Sequence, residues 1–96
     1  MIKKFTVTDK VYIFPMDNPW FFINIPLDQI PNVPRRGWGS IPVMATIGKT
    51  TWRTSIFPMK KDNYFIPLKK AVRENEGIFT GEEITILYRL AKSEEV

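Results

Sequence analysis

The sequence feature that most constrains the fold is a two-residue turn, Gly48-Lys49, between two stretches in which polar and apolar residues alternate. Glycine at the first central position suits a type II′ turn, and a turn of this length sets the register of the strands beside it. In that register the apolar residues of both strands share one face, as the opposed pairs Ile47 and Thr50, Ala45 and Trp52, Val43 and Thr54, and Ile41 and Ile56. The more polar face receives Met44 opposite Arg53, Thr46 opposite Thr51, and Pro42 opposite Ser55. The sequence therefore predicts a hairpin with one buried face.

Alternation predicts the other strands as well. Phe5, Val7, Val11 and Ile13 share one parity, which is typical of a strand with one buried face. The segment from Trp20 to Ile25 is apolar at both parities, so it is either buried on both sides or presents an aromatic face to a ligand; burial is the commoner case. Two further strands are predicted at Tyr64-Phe65-Ile66 and from Ile84 to Leu90.

A helix of about ten residues is predicted before the last strand. Pro67 suits its first turn, Leu68, Ala71 and Val72 fall on its buried face, and Gly77 supplies its C-terminal stop.

The fold class that follows is mainly β: a six-stranded antiparallel barrel or pseudo-barrel with one helix, in a single domain covering residues 1–96. An open α+β sheet with the helix on one face is the alternative. Residues 26–40 are predicted to form an irregular loop because prolines interrupt them, and residues 92–96 a frayed tail.

Composition narrows the setting of this domain. Cysteine is absent, so burial must stabilise the fold, and nothing supports secretion. The longest strictly apolar run, Trp20 to Ile23, is too short to span a bilayer, and polar residues interrupt the N-terminal segment. We expect a cytoplasmic protein with no membrane partner, either a monomer or a homodimer.

Charge is distributed unevenly along the chain. Residues 1–73 hold 12 Lys/Arg against 4 Asp/Glu, whereas residues 74–96 hold 2 against 6. A basic region of this size attracts polyanions, although a modest excess of lysine is more often ordinary solubility. Nucleic-acid binding by a basic homodimer is therefore the alternative function.

Four segments together resemble one known family, the domain-of-unknown-function family nineteen-oh-five. They are Gly39-Ser40-Ile41-Pro42-Val43, the stretch from Thr51 to Pro58, the stretch from Tyr64 to Arg73, and Thr80-Gly81-Glu82. The resemblance implies a small β-barrel that occurs alone or fused to a bacteriocin-protection-like domain, with no established activity. Where that family often has glycine between strands, this chain has Lys61-Asp62-Asn63, which leaves the turn type open.

A shorter stretch is similar to the swapped-hairpin transcription factors, which are dimeric DNA-binding barrels. It comprises Ile66-Pro67-Leu68-Lys69-Lys70, Gly77-Ile78 and Gly81-Glu82-Glu83-Ile84. This likeness supports a barrel topology only.

Catalytic signals are missing from the sequence. The chain has neither His nor Cys, and no nucleophile elbow, phosphate-binding glycine loop or metal-ligand cluster is present. Glu82-Glu83 and Glu94-Glu95 are adjacent pairs whose members point opposite ways on a strand, so neither pair makes a shared carboxylate site. We expect no catalysis, no cofactor and no metal.

Two groups of side chains are candidate ligand contacts. Arg53 and Ser55 lie on the polar face of the hairpin, where an arginine can bind an anion; alternatively the arginine stem covers apolar surface. Arg35, Arg36 and Trp38 make a basic loop with an aromatic side chain suited to stacking; alternatively Trp38 folds back over the barrel end.

Aromatic residues on the strands are a third group. Trp20, Phe22 and Trp52 either line a pocket at the barrel mouth or pack in the core, and core packing is favoured. The leading hypothesis is a noncatalytic binding or accessory module for an unidentified small ligand or protein partner. Its candidate ligand-binding residues are Trp20, Arg35, Arg36, Trp38, Arg53 and Ser55.

Overall fold

The structure is a computed structural model, and it describes residues 3–33, 39–60 and 62–91. Its strands are β1 (Lys4–Lys10), β2 (Tyr12–Phe14), β3 (Trp20–Ile25), β4 (Ile41–Ile47), β5 (Thr50–Pro58), β6 (Tyr64–Pro67) and β7 (Glu83–Leu90). A 3-10 helix covers Leu27–Gln29, and the α-helix α1 covers Lys70–Glu76. In the described ranges, the structure contains no apolar helix of membrane-spanning length.

The strands form one antiparallel sheet in the order β1-β7-β4-β5-β6-β3-β2, curled into a half-barrel. The predicted mainly β, antiparallel fold with a helix before the last strand is confirmed. The two strands at the ends of this order, β1 and β2, are consecutive in the chain and are separated only by Val11. The chain therefore crosses from one edge of the curled sheet to the other at a bend at Val11.

The prediction of six strands is wrong because the first predicted strand divides in two at Val11. The Val11 amide donates to the carbonyl of Glu82, next to β7, at 2.9 Å, whereas Tyr12 already pairs with Phe22 of β3. Since the two halves pair with different strands, the buried parity does not continue across the bend. Ile13, predicted on the buried face, is 38% exposed.

The hairpin forms in the predicted register. β4 and β5 pair from Ile41 opposite Ile56 to Ile47 opposite Thr50. Gly48 has a φ of 58° and Lys49 is not among the residues with positive φ, which is the type II′ pattern. The inward side chains Ile41, Val43, Ala45, Trp52 and Ile56 are all buried. They belong to the hydrophobic core inside the curl.

The helix begins later than the sequence predicts and has seven residues rather than about ten. Pro67 is the last residue of β6, opposite Phe22, and the Leu68 amide donates to the Phe21 carbonyl at 2.8 Å. Because the sheet holds the chain through Leu68, α1 starts only at Lys70.

The predicted helix stop at Gly77 is correct. Gly77 has a φ of 62° and a ψ of 44°, and the Ile78 amide donates to the Arg73 carbonyl at 2.9 Å, closing the last turn. Val72 is the buried residue of this helix, as predicted, whereas Ala71, also predicted on the buried face, is exposed.

In its described part, the region predicted as an irregular loop includes a short regular element, since a 3-10 turn forms directly after Pro26. The Tyr88 hydroxyl of β7 donates to the carbonyl of Gln29 at 2.6 Å and ties this turn to the sheet. The predicted tail at 92–96 lies outside the described residues.

Candidate functional site

An aromatic layer covers the outside of the sheet where β2, β3, β6 and β5 lie side by side. Successive strand residues point to opposite faces, so the core positions of Ile23 and Ile66 place Phe22 and Phe65 outside. Register then sets Tyr12 and Phe14 of β2 beside β3, and Phe57 beside β6. We call this layer the aromatic outer face, made of Tyr12, Phe14, Trp20, Phe22, Phe57 and Phe65.

The rings of this face are in mutual contact. Phe22 has its ring centroid 5.8 Å from that of Tyr12, 6.2 Å from Phe14 and 5.5 Å from Phe65. Phe65 lies 6.3 Å from Trp20, and the Phe22–Phe65 pair is edge-to-face at 66°. These separations fall in the range of stabilising aromatic pairs, so neighbouring rings hold Phe22 and Phe65 in place.

A groove of about 380 Å³ opens along this face. We call it the apolar groove; it is lined by Phe14, Met16, Trp20, Phe22, Pro58, Met59 and Phe65. Three of these side chains remain about half exposed: Phe14 at 49%, Met16 at 57% and Trp20 at 53%. Its volume lies in the range of small-molecule sites, and among the described residues that line it the indole N–H of Trp20 is the one side-chain hydrogen-bond donor. The groove therefore suits an apolar group.

A second groove, of about 230 Å³, lies where β3 begins and β6 ends. We call it the cationic groove; it is lined by Pro19, Trp20, Phe21, Pro67, Leu68, Lys69 and Arg73. Trp20 contributes to the lining of both grooves, so they meet at this residue, where β3 begins. Phe21 and Leu68 of the cationic groove pack on the core side of the sheet, whereas Phe22 and Phe65 of the apolar groove lie outside it.

Arg73 has a defined position in the cationic groove. Its Nε donates to the Leu68 carbonyl at 2.9 Å, and its guanidinium carbon lies 3.9 Å from the centroid of the Phe21 ring. Stacking of this kind is favourable because a guanidinium is weakly hydrated and the ring face is electron-rich.

The predicted site residues are distributed over different parts of the molecule. Trp20 is exposed on the aromatic outer face, whereas Trp52 packs in the core. Arg53 lies on β5 opposite Met44, and Ser55 follows on the same outer side. Neither Arg53 nor Ser55 lines the grooves that Trp20 lines.

The basic loop has no structural description. Arg35, Arg36 and Trp38 lie outside the described residues, so their proposed role as ligand contacts stays a prediction.

The outer face of β1, β7, β4 and β5 is the polar counterpart of the aromatic outer face. The hydroxyls of Thr46 and Thr51 are 2.8 Å apart, as are those of Thr8 and Thr85. In each pair one hydroxyl donates a hydrogen bond to the other. The cavity beside Thr46 and Thr51 has a volume of about 190 Å³, half that of the apolar groove. Among the described residues, no group of three or more His, Cys, Asp or Glu side chains is arranged to hold a metal ion.

Phe14, Met16, Met59 and Phe65 line the apolar groove but were not predicted as parts of a site. The sequence did contain a signal for them. The segment from Trp20 to Ile25 is apolar at both parities, and in a sheet with a core on one side only, one of the two sets of side chains must lie on the outer face. The partners of that outward parity come from strands distant in sequence, so the pattern alone did not identify them.

Comparison with models of protein families matches residues 10–87 to a family described as Domain of unknown function (DUF1905). The matched stretch covers most of the chain and includes β2 to β6, α1 and part of β7. No curated protein matches the chain, and no solved structure matches it.

Proposed function

For this chain, which belongs to the family Domain of unknown function (DUF1905), we propose a role as a noncatalytic binding or accessory module. The aromatic outer face would hold an apolar group of a small ligand or protein partner. The observation that carries the proposal is the apolar groove, in which three half-exposed side chains, Phe14, Met16 and Trp20, surround the fixed rings of Phe22 and Phe65.

The groove supports binding for a physical reason. Covering three half-exposed apolar side chains contributes on the order of 2–4 kcal/mol, before the free energy lost on association. The floor is already ordered because Phe22 and Phe65 sit in the strand ladder and contact other rings, so little entropy is lost when a ligand arrives.

The side chains that line the groove also favour binding over catalysis. Proton transfer or nucleophilic attack needs a titratable or nucleophilic group beside the substrate, and the apolar groove is lined by phenylalanine, methionine, proline and tryptophan.

The methionines allow a direct test. Met16 and Met59 line the apolar groove, and Met44 lies on the polar outer face as an internal control. Isotope-labelled methionine methyl groups are followed by NMR while methoxynaphthalene, a neutral apolar probe, is added. We expect saturable shifts at Met16 and Met59 and none at Met44. Unchanged Met16 and Met59 signals, or equal shifts at all three, would overturn the proposal.

Nucleic-acid binding by a basic homodimer stays a prediction from the basic segment and the likeness to the swapped-hairpin barrels. It requires an affinity that falls steeply with salt, because released counterions drive binding to phosphates. Binding of an apolar group in the groove requires no such dependence, so one salt titration separates the two functions.

A further inference from the structure

We propose that the ligand of this domain is a small amphipathic anion, whose apolar body lies in the apolar groove and whose carboxylate or phosphate contacts Arg73 and Lys69 across Trp20. This inference rests on the proposed function and adds the chemical class of the ligand.

The first observation is the arrangement of Arg73. Its Nε is held by the Leu68 carbonyl and its plane is held against Phe21, so the orientation of the guanidinium is set before any ligand binds. Among the described residues, the Arg73 guanidinium makes these two interactions, and neither of them uses a terminal Nη group. An arginine fixed in this way presents donors in the geometry that carboxylates and phosphates accept.

The second observation concerns the acids near this cation. Glu74 follows Arg73 in α1 and lines a neighbouring cavity of about 640 Å³ with it, but Glu74 is exposed and the two side chains form no ion pair in the described structure. Glu76 belongs to the same helix, but its carboxylate accepts a hydrogen bond from Thr50 at 2.6 Å. No Asp or Glu is among the described side chains that line the cationic groove, whereas Lys69 is exposed there. The groove is therefore complementary to an anion.

The third observation is that Trp20 lines both grooves. A single ligand would place its apolar body in the apolar groove and extend past Trp20, at the start of β3, to Lys69 and Arg73. Volumes of about 380 Å³ and about 230 Å³ suit a body of one or two fused rings, or a short chain, with one anionic head. A carboxylate and a phosphate share this chemistry, and the experiment separates them.

The test compares three ligands with the same ring system: methoxynaphthalene, naphthoate and naphthyl phosphate, with shifts of the Met16 and Met59 methyl groups as the readout. We expect at least one anion to bind about tenfold more tightly than the neutral probe, since a charge-assisted hydrogen bond contributes on the order of one tenfold step. The anion that gains more identifies the head group.

Variants locate that gain. Arg73→Gln should remove it and leave the affinity for methoxynaphthalene within about twofold, because the apolar contacts remain. Lys69→Gln removes an exposed charge at the start of α1, where the lysine side chain makes no capping hydrogen bond, so this variant should fold even if Arg73→Gln does not. It should reduce the gain in affinity about threefold. Lys49→Gln, an exposed cation of the hairpin turn, is the matched control and should change nothing.

The failures are distinguishable. Equal affinity for all three ligands, with Met16 and Met59 still shifting, would overturn the anion site and leave the proposed function intact. An anionic gain that persists in both Arg73→Gln and Lys69→Gln would also overturn it. Absence of methyl shifts with every ligand would overturn both proposals.

Discussion

Glu76, at the end of α1, accepts a hydrogen bond from the Thr50 hydroxyl at the start of β5, with an Oγ1–Oε2 distance of 2.6 Å. The two residues are 26 positions apart. The contact fastens the helix to the tip of the hairpin, and it needs Gly48, because a Cβ at that position would overlap the Glu76 carboxylate. Gly48 thus serves both the turn and the docking of the helix.

Replacing Gly48 with alanine should destabilise the protein by about 2–3 kcal/mol, since a left-handed φ is unfavourable for alanine and the new methyl group displaces Glu76. Gly77→Ala is the control: its φ of 62° is similar, but nothing lies within 4 Å of the added Cβ. We expect about 1 kcal/mol there. Denaturant unfolding measures both, and equal losses would show that the Glu76 contact plays no part.

The Thr50–Glu76 hydrogen bond should appear as a coupling energy. Thr50→Val and Glu76→Ala each remove it from one side, and a double-mutant cycle should give a coupling of about 1 kcal/mol between two half-buried side chains. Strictly additive losses in chemical unfolding would contradict the structure at this point.

Tyr88→Phe should lower the free energy of unfolding by about 1 kcal/mol, because it leaves the partly buried carbonyl of Gln29 without its donor while the stack on Phe5 is kept. Thermal unfolding near neutral pH measures this loss. A stability equal to that of the parent would mean that the hydroxyl is replaced by water.

The same tyrosine predicts a pH dependence. Burial raises the pKa of Tyr88 above its ordinary value of 10.0, and the Asp28 carboxylate raises it further. Above pH 10.0 the unfolded chain releases this proton while the folded chain keeps it, so the unfolded state binds fewer protons and stability falls as pH rises. Tyr88→Phe should show a shallower fall above that pH in unfolding experiments at a series of pH values. Identical slopes would contradict the environment of Tyr88.

Trp20 and Phe22 should respond differently to truncation. Trp20 is half exposed, so Trp20→Ala should change stability by less than about 1 kcal/mol yet weaken methoxynaphthalene binding about tenfold. Phe22 is only 8% exposed because the rings of Tyr12, Phe14 and Phe65 cover it on the outer face, and Phe22→Ala should cost about 3 kcal/mol of stability. Leu27→Ala, at a similarly exposed apolar residue that does not line the groove, is the matched control and should leave probe affinity unchanged. Unweakened binding by Trp20→Ala would remove Trp20 from the site.

Some local features of the fold could be predicted from neighbouring residues alone. The register across Gly48-Lys49 follows from turn length and alternation, and the helix stop at Gly77 from one residue that tolerates positive φ. The start of the helix could not be predicted in this way. Pro67 has a favourable φ for either state, and only its position opposite Phe22 in the sheet decided for the strand.

The candidate site could likewise be predicted only in part from the sequence. Trp20 is recognisable in the sequence as an aromatic residue on a strand that is apolar at both parities. Its partners in the apolar groove come from β2, from the end of β5 and from β6, which no short-range pattern connects. Arg73 likewise resembles an ordinary solvated helix cation until its contacts with Leu68 and Phe21 are known.

The sequence by itself determined that short strands bury one parity of apolar side chains, because alternation and turn chemistry act between residues close together in the chain. Only the tertiary structure decided which strands became neighbours, that the first strand bends at Val11, and that six aromatic rings meet on the outside of the sheet. Those outcomes depend on packing the inward faces of all the strands into one core, and the sequence of any single strand does not specify how the others pack.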